Sequence, residues 1–222
     1  MDASIAANLD RIAALGQRPL YLQADATDAR ALARAREAIH ADFGPVQGLV
    51  HSAIVLKDRA LAGMDEARFE ASLRAKVDTS VWMAAAFGGE PLDFVLFFSS
   101  MQSFLKAPGQ SNYAAGCTFA DAYARHLARS WPCAVKIMNW GYWGSAGVVA
   151  DPAYRRRMAE LGIGSIEAAE GMDAVERLLG SPRMQLAVVR QRRADDDSNQ
   201  RDAGYDGGAV ETAPAMEALW ND

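Results

Sequence analysis

The sequence has little of what would make a disulfide scaffold, a metal-folded module or a membrane protein. It holds 2 cysteines and 3 histidines in 222 residues. Cys117 and Cys133 form no disulfide framework and no zinc site, and His40, His51 and His126 have no metal-ligand spacing. No stretch approaches 18 consecutive apolar residues, and the opening MDASIAANLD lacks a basic region ahead of an apolar one. Neither a membrane span nor a secretory signal is supported. Positive charge is not in excess either: Lys+Arg number 23 against 28 Asp+Glu, a net charge of −5. That disfavours a protein that binds nucleic acid through a basic field. What remains is 50% hydrophobic and 23% charged, the composition of a soluble, cytoplasmic domain with a sizeable core.

Acidic residues crowd the end of the chain. From Asp195 to Asp222 they outnumber Arg190, Arg192, Arg193 and Arg201, in a polar stretch nearly free of β-branched residues. Residues 191–222 therefore read as a linker or disordered tail, and residues 1–190 as the folded body. Within the body, strand-like and helix-like segments alternate. Ile5, Leu9, Ile12 and Leu15 share one face of a helix that stops at Gly16. RPLYLQAD reads as a strand ending at Asp25, residues 28–42 as a helix, and the apolar run 49–55 as a strand covered on both faces. A long helix precedes Gly88-Gly89, and FVLFFSS (94–100) is the strongest strand signal. A helix over 112–129, a strand over 133–140, two short helices within 153–179 and a strand over 184–190 complete the series. The alternation predicts an α/β, Rossmann-like doubly wound parallel sheet. In that architecture ligands sit beyond the carboxyl ends of the strands.

Those ends carry the chemistry-bearing residues. The strand 94–98 runs into Ser99-Ser100, and thirteen residues after Ser100 comes Tyr113 at a helix start. A serine hydroxyl facing a phenol can hold a carbonyl oxygen from two sides, the serine polarising it and the tyrosine delivering a proton. A free tyrosine titrates near 10, so a nearby cation would help it donate, and Lys76 late in the long helix is the candidate. On spacing alone the alternative stands beside it: a capping Ser100, a packed Tyr113 and a solvated Lys76.

The tract FFSSMQSFLKAPGQSNYAAGCTFADAYA, followed by IMNWGYWGSAGVV and preceded by ADATD, LVHSAIVLKDRAL and RAKVDTSVW, resembles the ketoreductase domain of modular polyketide synthases. That domain is a branch of the short-chain dehydrogenase/reductase superfamily. The resemblance runs from about Leu20 to Val189. It implies Ser100 and Tyr113 as catalytic serine and tyrosine and Lys76 as the lysine. It also places Cys117 where the family often has an asparagine that helps orient the lysine and a relay water. A thiol is a weak donor and acceptor beside an amide. By the same resemblance Asp25 meets the adenine of NADPH, Ser52 and Ala53 lie beside the ribose, and Asn139, Trp140 and Gly141 beside the nicotinamide. Asp58, the last residue of LKD, and Gln110, standing where a Trp would mark the opposite facial class, face the substrate and lean toward D-configured β-hydroxy products. The implied partners are an acyl carrier protein with its phosphopantetheine-bound β-ketoacyl chain and the neighbouring synthase domains.

One expected part is absent from the sequence: neither G-x-G-x-x-G nor G-x-x-x-G-x-G occurs. Such a turn, opening a helix, is what cradles a dinucleotide's pyrophosphate. The expectation is an N-terminally truncated fold, its sheet completed by a missing N-terminal segment. A split domain, or a non-catalytic structural or pseudo-ketoreductase module of a synthase, are the other readings. A serine hydrolase is disfavoured, because Tyr113 stands where the motif Gly109-Gln110-Ser111-Asn112 would need its second glycine. His40 reads as a solvated residue near a helix end, His51 as a core histidine, Cys133 as inert packing and YRRRM (154–158) as a solvated helix face. No constellation suggests a metal.

Overall fold

The computed structural model describes residues 3–105, 107–144 and 152–192. The tail from residue 193 and the SAGVV of the 137–149 tract lie outside the described residues. The elements in chain order are α1 (Ala3–Ala13), α2 (Ala29–Phe43), β1 (Gly48–His51), α3 (Glu66–Phe87), β2 (Phe94–Ser100), α4 (Gln102–Leu105), α5 (Ser111–Leu127), β3 (Ala134–Trp140), α6 (Pro152–Glu160), β4 (Ile163–Gly164), α7 (Ala168–Leu179), β5 (Gln185–Val188) and β6 (Arg190–Gln191).

The central sheet has the order β1-β2-β3-β5 and is parallel throughout. Its middle strands are continuous apolar runs because both of their faces are covered. On one face Val95, Phe97, Val135 and Ile137 pack under Met83 and Phe87 of α3 and Ala120, Ala124 and Leu127 of α5, with Leu32 and Ile39 of α2 at the margin. On the other, Leu96, Met138 and Trp140 meet Ile166 and Leu178, with Ala174 and Val175 of α7 alongside. Helices on both faces make the sheet doubly wound, as expected. A separate antiparallel ribbon joins β4 to β6, so ordered backbone continues to Arg192, whose N–H donates to the Gly162 carbonyl at 2.9 Å.

Helix ends follow their local chemistry. Asp28 and Asp65 cap α2 and α3 by accepting from the N–H groups of Arg30 and Arg68, satisfying amides that the first turn leaves orphaned. Between α3 and β2, Glu90 is buried and accepts from Arg36 Nε at 2.5 Å, His40 Nε2 at 2.9 Å and the Val46 N–H at 3.0 Å. His40 is therefore tied to a buried carboxylate rather than simply solvated. The clamp holds α2 to the amino end of the sheet.

Two sequence expectations fail at one edge. Residues 18–25 form no strand, and Leu20, Tyr21 and Leu22 are exposed. The strand expected over 49–55 stops at His51, and Val50 is 49% exposed rather than covered. The cause is shared. Among the described residues β1 has a strand on one side only, so its outer backbone groups and one face lack the partners that would extend pairing. Along the apolar face of α1, Ile5 and Leu9 are half-buried but Ile12 is exposed, and Leu15 beyond it is 89% exposed.

Candidate active site

The site is built where β2, β3 and α5 converge at the carboxyl end of the sheet. Ser99 and Ser100 close β2 in register with Asn139 and Trp140 of β3. Ser100 Oγ accepts from the Gln102 N–H at 3.2 Å, which turns the chain away and leaves the hydroxyl at the strand end. Tyr113 enters from the first turn of α5, and its hydroxyl lies within reach of the polar groups of Ser100 and Cys117. Burial pushes the Tyr113 pKa up, reinforced by Cys117 and by the charge of Asp58, with the nearby Ser100 hydroxyl pulling the other way. The expectation that Lys76 lowers it meets the opposite direction. The phenol is held protonated, the form a proton donor needs.

Lys76 lies beneath, 2% exposed, and its Nζ donates to the Phe98 carbonyl at 2.7 Å. Burial lowers its pKa, opposed by Cys117 and Asp121. Cys117 is fully buried; burial raises its pKa, while Lys76 and the nearby Tyr113 and Ser99 hydroxyls act against that. Ser100, Tyr113, Lys76 and Cys117 thus form one cluster.

Residues that sequence reasoning passed over bring α3 and α5 close enough for this. Asn112 Nδ2 donates to Ser72 Oγ at 2.9 Å, both side chains buried. At Gly116 a Cβ would stand 3.1 Å from both Cβ and Cγ of Lys76, so any larger residue would crowd the lysine. Ser80 Oγ donates to the Lys76 carbonyl at 2.5 Å. His51 sits 3.4 Å from that same oxygen, and burial with the neighbouring Lys76 charge lowers its pKa to about 4. The spacing of Asn112 and Gly116 around Tyr113 was the available signal, but their partners are about forty residues away.

The residues expected at a cofactor are more dispersed. Ser52 and Ala53 follow β1 at the carboxyl edge of the sheet. Asp25 ends no strand; its Oδ1 accepts from the N–H and Oγ1 of Thr27, both at 2.8 Å, and those bonds lower its pKa. Asn139 is fully buried and its amide is spent on Ser100, Asp121 and Gln185. Trp140 packs edge-on against Phe98 and Trp143. A Cβ at Gly141 would meet the Val188 carbonyl at 2.7 Å, so that glycine serves the β3–β5 approach. Across the mouth, Gln110 Nε2 donates to Asp58 Oδ2 at 2.7 Å. These two border an apolar groove of about 610 Å³ lined by Ala60, Leu61, Pro108, Gly109 and Ala114. At the reacting end the donor set fits a nicotinamide reductase; at the phosphate end no backbone cradle is found among the described residues.

A family model described as KR domain matches residues 1–145. The chain belongs to the KR domain family. These are the ketoreductase domains of polyketide synthases, and two curated relatives are such synthases. Polyketide synthase PksN of Bacillus subtilis is 54% identical over 90% of this chain and 4% of its own length. Polyketide synthase ThaG of Burkholderia thailandensis is 55% identical over 87% of this chain and 3% of its own. A solved ketoreductase domain from the bacillaene assembly line superposes with a TM-score of 0.79 at 25% identity, covering 90% of this chain and 49% of that one. The KR chain therefore spans a few per cent of the curated synthases and about half of the solved domain. In both synthases the matched region is a small part of a far longer chain.

Proposed function

We propose that this KR chain carries the reducing site of a polyketide synthase and reduces the β-keto group of an acyl thioester held on the phosphopantetheine arm of an acyl carrier protein, in the cytoplasm. The carrying observation is the meeting of the Ser100 and Tyr113 hydroxyls over the buried Lys76 at the end of β2. NADPH, the cofactor of this family, supplies the hydride when bound. Ser100 donates a hydrogen bond to the carbonyl oxygen and orients it. Tyr113 gives its proton to that oxygen as charge develops there, leaving a β-hydroxy thioester. Lys76 places a positive charge beneath the phenolate that results, and the Cys117 thiol packs beside Tyr113. Ser52 and Ala53 lie beside the ribose, Trp140 and Gly141 border the nicotinamide end with Asn139 behind them, and Asp25 lies toward the adenine. Asp58 and Gln110 flank the acyl entrance and favour the D-hydroxy product.

The pyrophosphate grip belongs, in this reading, to an N-terminal segment that adds strands between 18–25 and the open edge of β1. The bare edge, the exposed Val50 and the unpaired Leu20–Leu22 support this. The linker expected over 191–222 then begins only after Arg192, since Gln191 is paired in β6, and residues 193–222 lead to the next synthase domain. The test is NADPH oxidation with a β-keto thioester, in the polypeptide that completes the sheet. Tyr113→Phe should lower turnover by about 10²-fold or more. Near-wild-type reduction by that variant would overturn the role given to Tyr113, and no reduction by the unsubstituted polypeptide would leave the structural, pseudo-ketoreductase module.

A further inference from the structure

Tyr113, Cys117, Asp121 and Arg125 recur at intervals of four along α5, which places them on one helix face, a turn apart. The site described above uses the first two. Asp121, one turn deeper, is 7% exposed, and a buried carboxylate is retained at a cost unless its surroundings use it.

Its Oδ2 accepts from Asn139 Nδ2 at 3.0 Å and from Gln185 Nε2 at 3.3 Å. The same Asn139 amide nitrogen donates to the Ser100 carbonyl at 3.1 Å, and Gln185 Nε2 donates to Asn139 Oδ1 at 2.6 Å. Arg125 in turn donates to Gln185 Oε1. Asp121 is thus the hub of a network joining α5, β3, β5 and the end of β2. Its other oxygen, Oδ1, is buried and makes no hydrogen bond, so the carboxylate is poorly neutralised by its bonded neighbours.

The groups that interact with Lys76 identify a use for that charge. From β1 comes His51, from α5 come Cys117 and Asp121, and from β2 the Phe98 carbonyl. His51 is held neutral by burial, and the Cys117 thiol is pushed up, away from the thiolate. Asp121 is the carboxylate of the set. A buried ammonium with one carbonyl partner needs an anion nearby to remain charged.

We propose that Asp121 is a positioning residue of the site: through Asn139 its carboxylate fixes the strand end that carries Ser100, and its charge holds Lys76 as an ammonium. The proposal rests on the reductase reading for the roles of Ser100 and Lys76, but its test does not. Cyanate carbamylates only neutral amines, and peptide mass spectrometry can follow each of Lys57, Lys76, Lys106 and Lys136 as a function of pH in the polypeptide that carries this chain. Asp121→Asn keeps an acceptor oxygen and removes the charge. It should move the Lys76 midpoint down by about one pH unit, raising labelling below the midpoint about tenfold, with the other lysines unmoved. Asp121→Glu should restore the wild-type midpoint. In turnover, Asp121→Asn should lower kcat with little change in KM and shift the pH profile in the same direction.

A Lys76 midpoint unchanged in Asp121→Asn overturns the proposal, as does an equal fall in Asp121→Glu. Were Asp121→Asn to unfold, Lys76 would label with the midpoint of an ordinary lysine near 10.4. Asp121→Glu then decides: a wild-type midpoint supports the charge role and a fall of a unit or more refutes it. Failure of the reductase reading would show separately, as reduction that survives Tyr113→Phe while the Lys76 titration still responds to Asp121.

Discussion

Adding one methyl group at Gly116 tests how tightly α3 is seated on α5. In an exposed helix, glycine to alanine stabilises by about 1 kcal/mol. Here the new Cβ would stand 3.1 Å from Lys76 Cβ and Cγ and 3.5 Å from the Ser72 carbonyl. Lys76 cannot swing aside, because its stem is buried and its Nζ is bonded to Phe98. Forcing a methylene into such packing costs about 1–3 kcal/mol, so Gly116→Ala should come out between neutral and about 2 kcal/mol destabilised. For a domain of this size that is a fall in Tm of up to about 8 °C, at roughly 2–4 °C per kcal/mol. The displaced lysine should also lower turnover tenfold or more, since misplacement by about 1 Å can cost 10²-fold. Thermal melting and NADPH oxidation, in the polypeptide that completes the sheet, read the two effects. A variant stabilised by the full helical increment with unchanged turnover would refute the close-approach argument.

Three further outcomes follow from the same contacts. Cys117→Asn should change activity only modestly, measured as kcat, because Lys76 already supplies the positive charge; a gain near 10²-fold would mean that the natural site lacks an acid–base group. Glu90→Gln should flatten the acid limb of the stability profile measured by urea unfolding. Burial alone would raise the Glu90 pKa, but the Val46 N–H, Arg36 and His40 hold it below the ordinary range. Its contribution is therefore fully present above about pH 4.3 and disappears as pH falls through the lower folded value. Residues 1–222 expressed alone should oligomerise through the open edge of β1 and oxidise no NADPH with a β-keto thioester; a monodisperse, active chain on size-exclusion chromatography would refute this.

The fold's interior was legible because its signals are local. FVLFFSS and AVKIMNW are largely apolar segments with helices on both faces, and they became β2 and β3 within a residue of expectation. The failures sit where pairing partners decide. RPLYLQAD has a strand's composition, but composition cannot make a ladder when no strand lies alongside. Ser100, Tyr113 and Lys76 were legible from their positions in the motif tract. Ser72, Gly116, Asp121 and Gln185 were not, since their meaning arises only when α3, α5 and β5 meet. The direction of the Tyr113 pKa was missed for a related reason: spacing shows the cation but not how deeply the phenol is buried.

Lys136 draws a different kind of meaning from its place in β3. It is 6% exposed, faces Leu96 across the ladder, and its Nζ donates to the carbonyls of Ser181 and Arg183 just past α7. Its strand neighbours Val135 and Ile137 point to the other face, into the cluster with α3 and α5. A slip of β3 by one residue against β2 would send every side chain to the opposite face, driving an ammonium into that apolar cluster and stripping it of both carbonyls. Asn139 and Trp140 would trade faces in the same movement. An uncharacteristic lysine in the most buried strand of the sheet thus acts as an alignment pin, fixing the alternation by which Asn139 arrives beside Ser100.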